Sequence, residues 1–115
     1  MYYYVMYYRE WVKGGIKTLI LKLLANKNRS YGYQMRQEVN KLSLGNIKLT
    51  DGALYPALHK MESEGWLKSE IEYHGKRLRK YYSLTSLGEQ RAEENIEAYF
   101  QFVRSMILVL TPTPN

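Results

Sequence analysis

Apolar residues along this chain fall into three helical stripes, one alternating stretch and a last, longer stripe. From Val12 they recur as Val12, Ile16, Leu19, Ile20, Leu23 and Leu24, one face of a helix. Gly14 and Gly15 weaken that helix near its start, each costing about 1 kcal/mol relative to Ala. The Tyr-rich residues 1–8 carry no clear period. They read either as a flexible lead or as a backward extension of the first helix. After a polar break at 26–29, Ser30 is placed to cap a second helix. In it Tyr31, Met35, Val39 and Leu42 share a face at spacings of four, four and three. Residues 43–46 end it, with Gly45 as the breaker.

Thr50 is placed to cap a third helix whose buried stripe is Leu54, Leu58 and Met61. Pro56 removes one backbone hydrogen bond from it, early enough for a mild kink and no break. Gly65 stops the helix, and Trp66-Leu67 turns the chain into a strand. There Leu67, Ser69, Ile71 and Tyr73 point one way and Lys68, Glu70 and Glu72 the other. A turn at His74-Gly75 leads to a return strand in which Tyr82 and Leu84 alternate. Ser86 with Glu89 reads as a capping box for the last helix. In that helix Ala92, Ile96, Tyr99, Val103, Met106 and Leu110 repeat at four, three, four, three and four, a heptad-like stripe. Helix, helix, helix, hairpin, helix is the order of a winged helix-turn-helix followed by a long C-terminal dimerisation helix. The fold class is therefore mainly α with a small β-hairpin. Residues 1–85 form the winged-helix domain, with 1–11 as a Tyr-rich lead, and 86–115 the dimerisation helix and tail.

Composition sharpens this picture in three places. At 115 residues the chain makes one domain, enough to bury roughly two-thirds of its unfolded surface. Its net charge of +6 is uneven: residues 1–85 hold fifteen Lys/Arg against seven Asp/Glu, whereas residues 86–115 hold two against four. A basic body with a mildly acidic tail is built to meet a polyanion with the body. No cysteine is present, which excludes disulfides, thiol catalysis and Cys-based zinc sites. Lys17 and Lys22 interrupt the longest apolar run, and the start MYYYVMYYREW lacks the pattern of a signal peptide. The expected location is the cytoplasm.

The sharpest chemistry lies at 73–85, YHGKRLRKYYSLT. Lys76, Arg77, Arg79 and Lys80 stand together with no acid among them and none following until Glu89. A hairpin tip this basic repels itself unless an anion neutralises it, and along a phosphate backbone it would do so. A merely solubilising tip is the alternative. Upstream, the third helix of such a fold enters the major groove, and its outward residues here are Asp51, Gly52, Tyr55, His59 and Lys60. Gly52 and Ala53 are small enough to let the backbone approach DNA. Tyr55 lies off the buried stripe and offers a hydroxyl to phosphate and a ring to sugar. Tyr31 shares the buried stripe of the second helix. Tyr33 and Gln34 lie off it, where a helix-turn-helix meets the backbone.

These segments resemble the PadR family of bacterial transcriptional regulators. The likeness runs through residues 14–88 in GGIKTLILKLLA, YGYQM, DGALYPALHKMESEGWL and GKRLRKYYSLTSLG. LYPAL, then EGWL, then RKYYSLT at this spacing is its specific part. The short total length is similar to the smaller subfamily, which carries one C-terminal helix in place of a larger domain. The resemblance implies a dimeric repressor whose operator affinity responds to a small molecule or cellular signal. The Tyr-rich start and the end, LVLTPTPN, depart from the family pattern.

The expected DNA contacts are Tyr33, Gln34, Thr50, Gly52, Tyr55, His59, Lys60, Lys76, Arg77, Arg79 and Lys80. Ile96, Tyr99, Val103, Met106 and Leu110 are expected at a dimer interface, because so apolar a helix must bury itself in something. Trp11, Tyr99 and Phe100, with Tyr7, Tyr8 and Phe102 nearby, either fill that interface or line a cleft suited to a planar aromatic, possibly cationic effector. His59 and His74 lie in different elements with no further ligands at metal spacing, and no nucleophile is paired with a base. Neither a metal, a cofactor nor an enzymatic activity is expected. A winged-helix protein-interaction module without DNA binding is the alternative function. It predicts an acidic or apolar third helix and a neutral wing, and this chain has the opposite wing.

Overall fold

A computed structural model describes residues 2–114, with side chains from Tyr8 onward. Four helices carry the chain: α1 (Tyr2–Asn26), α2 (Gly32–Leu42), α3 (Asp51–Ser63) and α4 (Ser86–Leu110). Three strands complete it: β1 (Ser30–Tyr31), β2 (Leu67–His74) and β3 (Arg77–Leu84). The sheet is antiparallel with order β1-β3-β2. Among the described residues no helix is long and apolar enough to cross a membrane.

Apolar burial explains the arrangement. Ile20 and Leu21 of α1, Met35 of α2, and Leu54, Leu58 and Met61 of α3 are wholly buried and meet in one cluster closed by Leu67 and Tyr82. Burying a side chain of this size stabilises by about 1.5–3 kcal/mol, so the three helices and the root of the wing share one core. Leu21 lies outside the stripe read from α1, yet it is buried, because α1 is covered on one side by α4 and on others by α3 and the sheet. Thr18 Oγ1 donates to Asn95 Oδ1 at 2.6 Å across the α1–α4 contact.

Several elements differ from the expectation, each for a local reason. Of the two readings of the Tyr-rich start, the backward extension of the first helix is the one found, in place of the lead: α1 runs back to Tyr2 and passes Gly14-Gly15 without a break. Ser30 does not cap α2. It is buried and pairs with Tyr82 in the sheet, while Tyr31 pairs with Tyr81, so the hairpin becomes a three-stranded sheet. The N-cap of α2 is Tyr31, whose amide donates to Gln34 Oε1 at 3.4 Å. At α4 the cap is Thr85, one residue before the expected Ser86, and its hydroxyl accepts from the Gly88 amide at 3.0 Å. Thr50 caps α3 as its sequence position suggests, accepting from the Ala53 amide at 3.2 Å, and α3 continues unbroken past Pro56.

Leu42 is exposed, not buried, because α2 ends at that residue and Leu49, arriving from the turn, fills the core in its place. Ile71 and Tyr73 do share a face with Leu67, but the strand has run past the core by then and both are exposed. The ends of α2 and α3 close alike. Gly45 N–H reaches Asn40 O at 2.7 Å and Trp66 N–H reaches Met61 O at 2.9 Å, the long bond of a Schellman cap. Leu44 and Gly65 hold the left-handed position, with φ of 54° and 82°.

Candidate nucleic-acid interface

The helix-turn-helix is α2 and α3, and polar links fix their relation. Arg36 of α2 places Nε 3.0 Å from Asp51 Oδ1, the first residue of α3. That pairing answers the one carboxylate at the helix end expected to meet DNA. Tyr33 is half exposed; Gln37 Nε2 donates to its hydroxyl at 2.9 Å and the Arg36 guanidinium lies 5.4 Å from its ring. Gln34 has its amide oxygen turned inward, accepting from Tyr31 N–H and from Ser30 Oγ at 3.3 Å, so only its NH2 group is left to reach outward.

On α3 the outward set Thr50, Gly52, Tyr55, His59 and Lys60 is exposed. Tyr55 is 37 % exposed. Its hydroxyl lies over Gly32, where an added Cβ would stand 2.5 Å from it, and its ring is 6.5 Å from that of His59. Tyr55 thus braces α3 against α2 while keeping an exposed edge.

The wing cations do not behave as one cluster. Lys76 and Arg77 sit at the exposed tip. Arg79 is partly covered, its guanidinium 4.7 Å from the Tyr31 ring. Lys80 Nζ lies 3.4 Å from Glu62 Oε1 and 5.3 Å from the Tyr82 ring, which ties the wing to the end of α3. Alternation explains the division, since Arg79 and Lys80 fall on opposite faces of β3.

Arg29, unremarked in the sequence, holds the first of these faces. It bonds Glu70 at 2.8 Å and Glu72 at 2.9 Å and stacks 4.0 Å from the Tyr81 ring. Its hydrogen bond is the main reason the Glu72 carboxyl sits below the usual range, and both acids of β2 are thereby answered within the chain. Glu62 is likewise held low, first by the Ser69 hydroxyl and then by Lys80. His74 Nε2 lies 3.2 Å from the Tyr81 hydroxyl and 3.6 Å from Glu72. Among the described residues no group of three or more His, Cys, Asp or Glu could hold a metal ion.

Ile71, Tyr73 and Leu78 leave an apolar patch on the wing, with Tyr73 and Leu78 directly paired. Alternation signalled their shared face, but where the core ends is visible only in three dimensions.

Beyond the wing, α4 divides in two. Ile96 packs against the core, and the Tyr99 hydroxyl fits against Gly15, where a Cβ would be only 2.7 Å away. From Phe100 to Pro114 every residue is exposed, including Val103, Met106 and Leu110. Trp11 and Tyr99 line one cleft of about 460 Å³ with Tyr8, Val12 and Leu19. Phe100 does not line it, and the side chain of Tyr7 lies outside the described residues.

The model of the Transcriptional regulator PadR-like family matches residues 20–94. The transcriptional regulator Rv3488 of Mycobacterium tuberculosis is 30% identical over 99 residues, covering 86% of this chain and 89% of its own length. A PadR family transcription regulator from hypervirulent Clostridium difficile superposes with a TM-score of 0.67 at 30% identity, over 81% of this chain and 94% of that one. A transcriptional regulator from Clostridium thermocellum reaches a TM-score of 0.78 over 90% of this chain and 99% of its own, at 24% identity, a likeness of fold.

Proposed function

The chain belongs to the PadR-like family of transcriptional regulators, and on that premise we propose that this DNA-binding regulator acts as a two-fold repressor dimer on a pseudo-palindromic operator. The observation that carries the site assignment is the exposed outer face of α3, with Thr50, Gly52, Tyr55, His59 and Lys60, set beside a wing whose tip carries Lys76 and Arg77. In this reading α3 meets base edges and Tyr33 and the wing meet phosphates. Arg79 and Lys80 contribute to the field of the wing while also fastening it.

Residues 1–85 serve as the DNA-binding unit and 86–115 as the dimerisation unit. The unpacked apolar half of α4 supports a second copy of the chain as its partner. Such a dimer would set two recognition helices about 34–36 Å apart. No catalytic role is assigned, and the place of action is the compartment holding the chromosome, the cytoplasm.

The cleft between Trp11 and Tyr99 supports the second part of the reading, modulation by a planar aromatic small molecule. Such a ligand would shift operator affinity only insofar as it binds the DNA-competent and incompetent dimers differently. Selection of genomic fragments with the purified protein, followed by salt titration against random duplex, tests the main reading. A recurrent inverted repeat with tenfold or greater preference supports it. Failure to retain any duplex at low salt would remove it.

A further inference from the structure

Some cations of the helical body are answered inside the chain and others are not. Lys17 pairs with Glu64, Arg29 with Glu70 and Glu72, and Arg36 with Asp51. Three that are not converge on one place. Arg9 and Lys13, four apart and therefore on one side of α1, line a cleft of about 520 Å³ with Lys48 from the turn between α2 and α3. Thr50 and Ala53, at the start of α3, form its other wall. One acid, Glu10, also lines the cleft, leaving a net excess of two positive charges there. All three cations are exposed, and none has an ion pair to a described residue.

The location gives this cluster its meaning. α3 is 13 residues long, roughly 20 Å. Its C-terminal end leads into the wing, whose tip holds Lys76 and Arg77; its N-terminal end abuts the cleft. Uncompensated cations thus stand beside the N-terminal end of the recognition helix and, a strand's length beyond its other end, at the tip of the wing. A helix lying in the major groove, about 12 Å wide, has a phosphate strand on either side. The wing can serve only one of them.

We propose that the cleft lined by Arg9, Lys13 and Lys48 is a second phosphate-backbone site, which seats the DNA strand across the major groove from the wing. The inference rests on the DNA-binding reading of α3. It adds the N-terminal part of α1 to the interface. Glu10 sets the strength of the site by opposing the phosphates.

The test uses full-length protein, a selected operator and a random duplex. Lys13→Gln with Lys48→Gln should weaken binding to both duplexes alike and flatten the log–log salt slope by about 2 per chain, near 0.9 for each lost contact. Hydroxyl-radical protection should disappear from the strand opposite the wing and persist at the wing contacts. Glu10→Gln should tighten binding to both duplexes, a gain that a folding defect cannot mimic. The proposal is overturned if the double variant keeps the wild-type slope and footprint while Lys76→Gln with Arg77→Gln loses its own contacts. If the wild-type protein binds neither duplex, the DNA-binding reading falls first and the cleft with it.

Discussion

The Tyr55 hydroxyl rests over Gly32, so close that a Cβ on Gly32 would lie 2.5 Å from the oxygen. One tyrosine therefore spaces the two helices of the helix-turn-helix and keeps exposed the edge proposed to meet DNA. Removing only the hydroxyl should separate them. Tyr55→Phe is expected to weaken operator binding with under about 1 kcal/mol of lost stability. Leu58→Ala, at a wholly buried position, should cost about 2–5 kcal/mol. Gly32→Ala should destabilise less in a Tyr55→Ala background than alone, a coupling of about 0.5–3 kcal/mol. Equal melting shifts for Tyr55→Phe and Leu58→Ala would mean the faces of α3 are wrongly assigned.

A second pair, Leu44 and Gly65, yields a prediction of opposite sign. Both stand at the left-handed position of the same helix-ending motif, and only the second is a glycine. An L-residue there costs roughly 1–2 kcal/mol, while glycine loses about 0.5–1 kcal/mol more chain entropy on folding. Leu44 is 89 % exposed and has little packing to lose. Leu44→Gly should therefore stabilise the protein by up to about 1 kcal/mol, read as a rise in Tm of a few degrees. A lower Tm would show that the Leu44 side chain is held by something the strain argument omits.

These two cases also mark where the sequence was legible. The stripe Leu54, Leu58, Met61 and the cap at Thr50 could be read because period and cap chemistry are local properties. Gly45 does turn left-handed at the end of α2, with φ 81°, but Leu44 before it does so too, because the hydrogen-bond register of the cap places Leu44 at the position that Gly65 holds after α3. The strand Ser30–Tyr31 is too short to carry a period and exists only because Tyr81 and Tyr82 offer it a ladder. Lys76, Arg77, Arg79 and Lys80 looked equivalent as a run of charge. Their division into free and tethered pairs depends on Glu62 and Tyr31, distant in sequence. Arg29 had no local signal at all, since both its acids lie more than forty residues ahead.

The tethering of the wing should make it acid-sensitive. Arg29 and Ser69 hold the Glu72 and Glu62 carboxyls below their ordinary values. A carboxyl with a depressed folded-state pKa contributes its stabilisation above the unfolded value, about 4.3, and loses it as pH falls through the lower folded value. Wing amides should therefore lose hydrogen-exchange protection below about pH 4, before the amides of α1 do. Glu72→Gln should lower stability at neutral pH and make its decline with acid shallower. An unaltered acid profile in that variant would detach Glu72 from the wing's stability.

The last prediction concerns what covers α4. Val103 is 37 % and Met106 43 % exposed, and Ile107, Leu108, Val109 and Leu110 follow with 56 % or more. A single helix that is apolar around its whole circumference is unstable in water, and every described residue of the chain from Phe100 onward is exposed. A second copy can cover it, each α4 lying across a two-fold axis against its mate. The nearly bare helix then acquires neighbours on several sides. Val103→Glu would place a charge without a partner in that contact and leave the core of Leu54, Leu58 and Met61 untouched. Sedimentation should show a dimer for the wild type and a monomer or aggregate for the variant, with the far-UV signal of the winged helix retained. The monomer should also bind operator far more weakly, since it forfeits the second half-site, while its binding to a single half-site duplex changes little. A variant that sediments as the wild type does would place the dimer contact elsewhere and leave the apolar end of α4 for another partner.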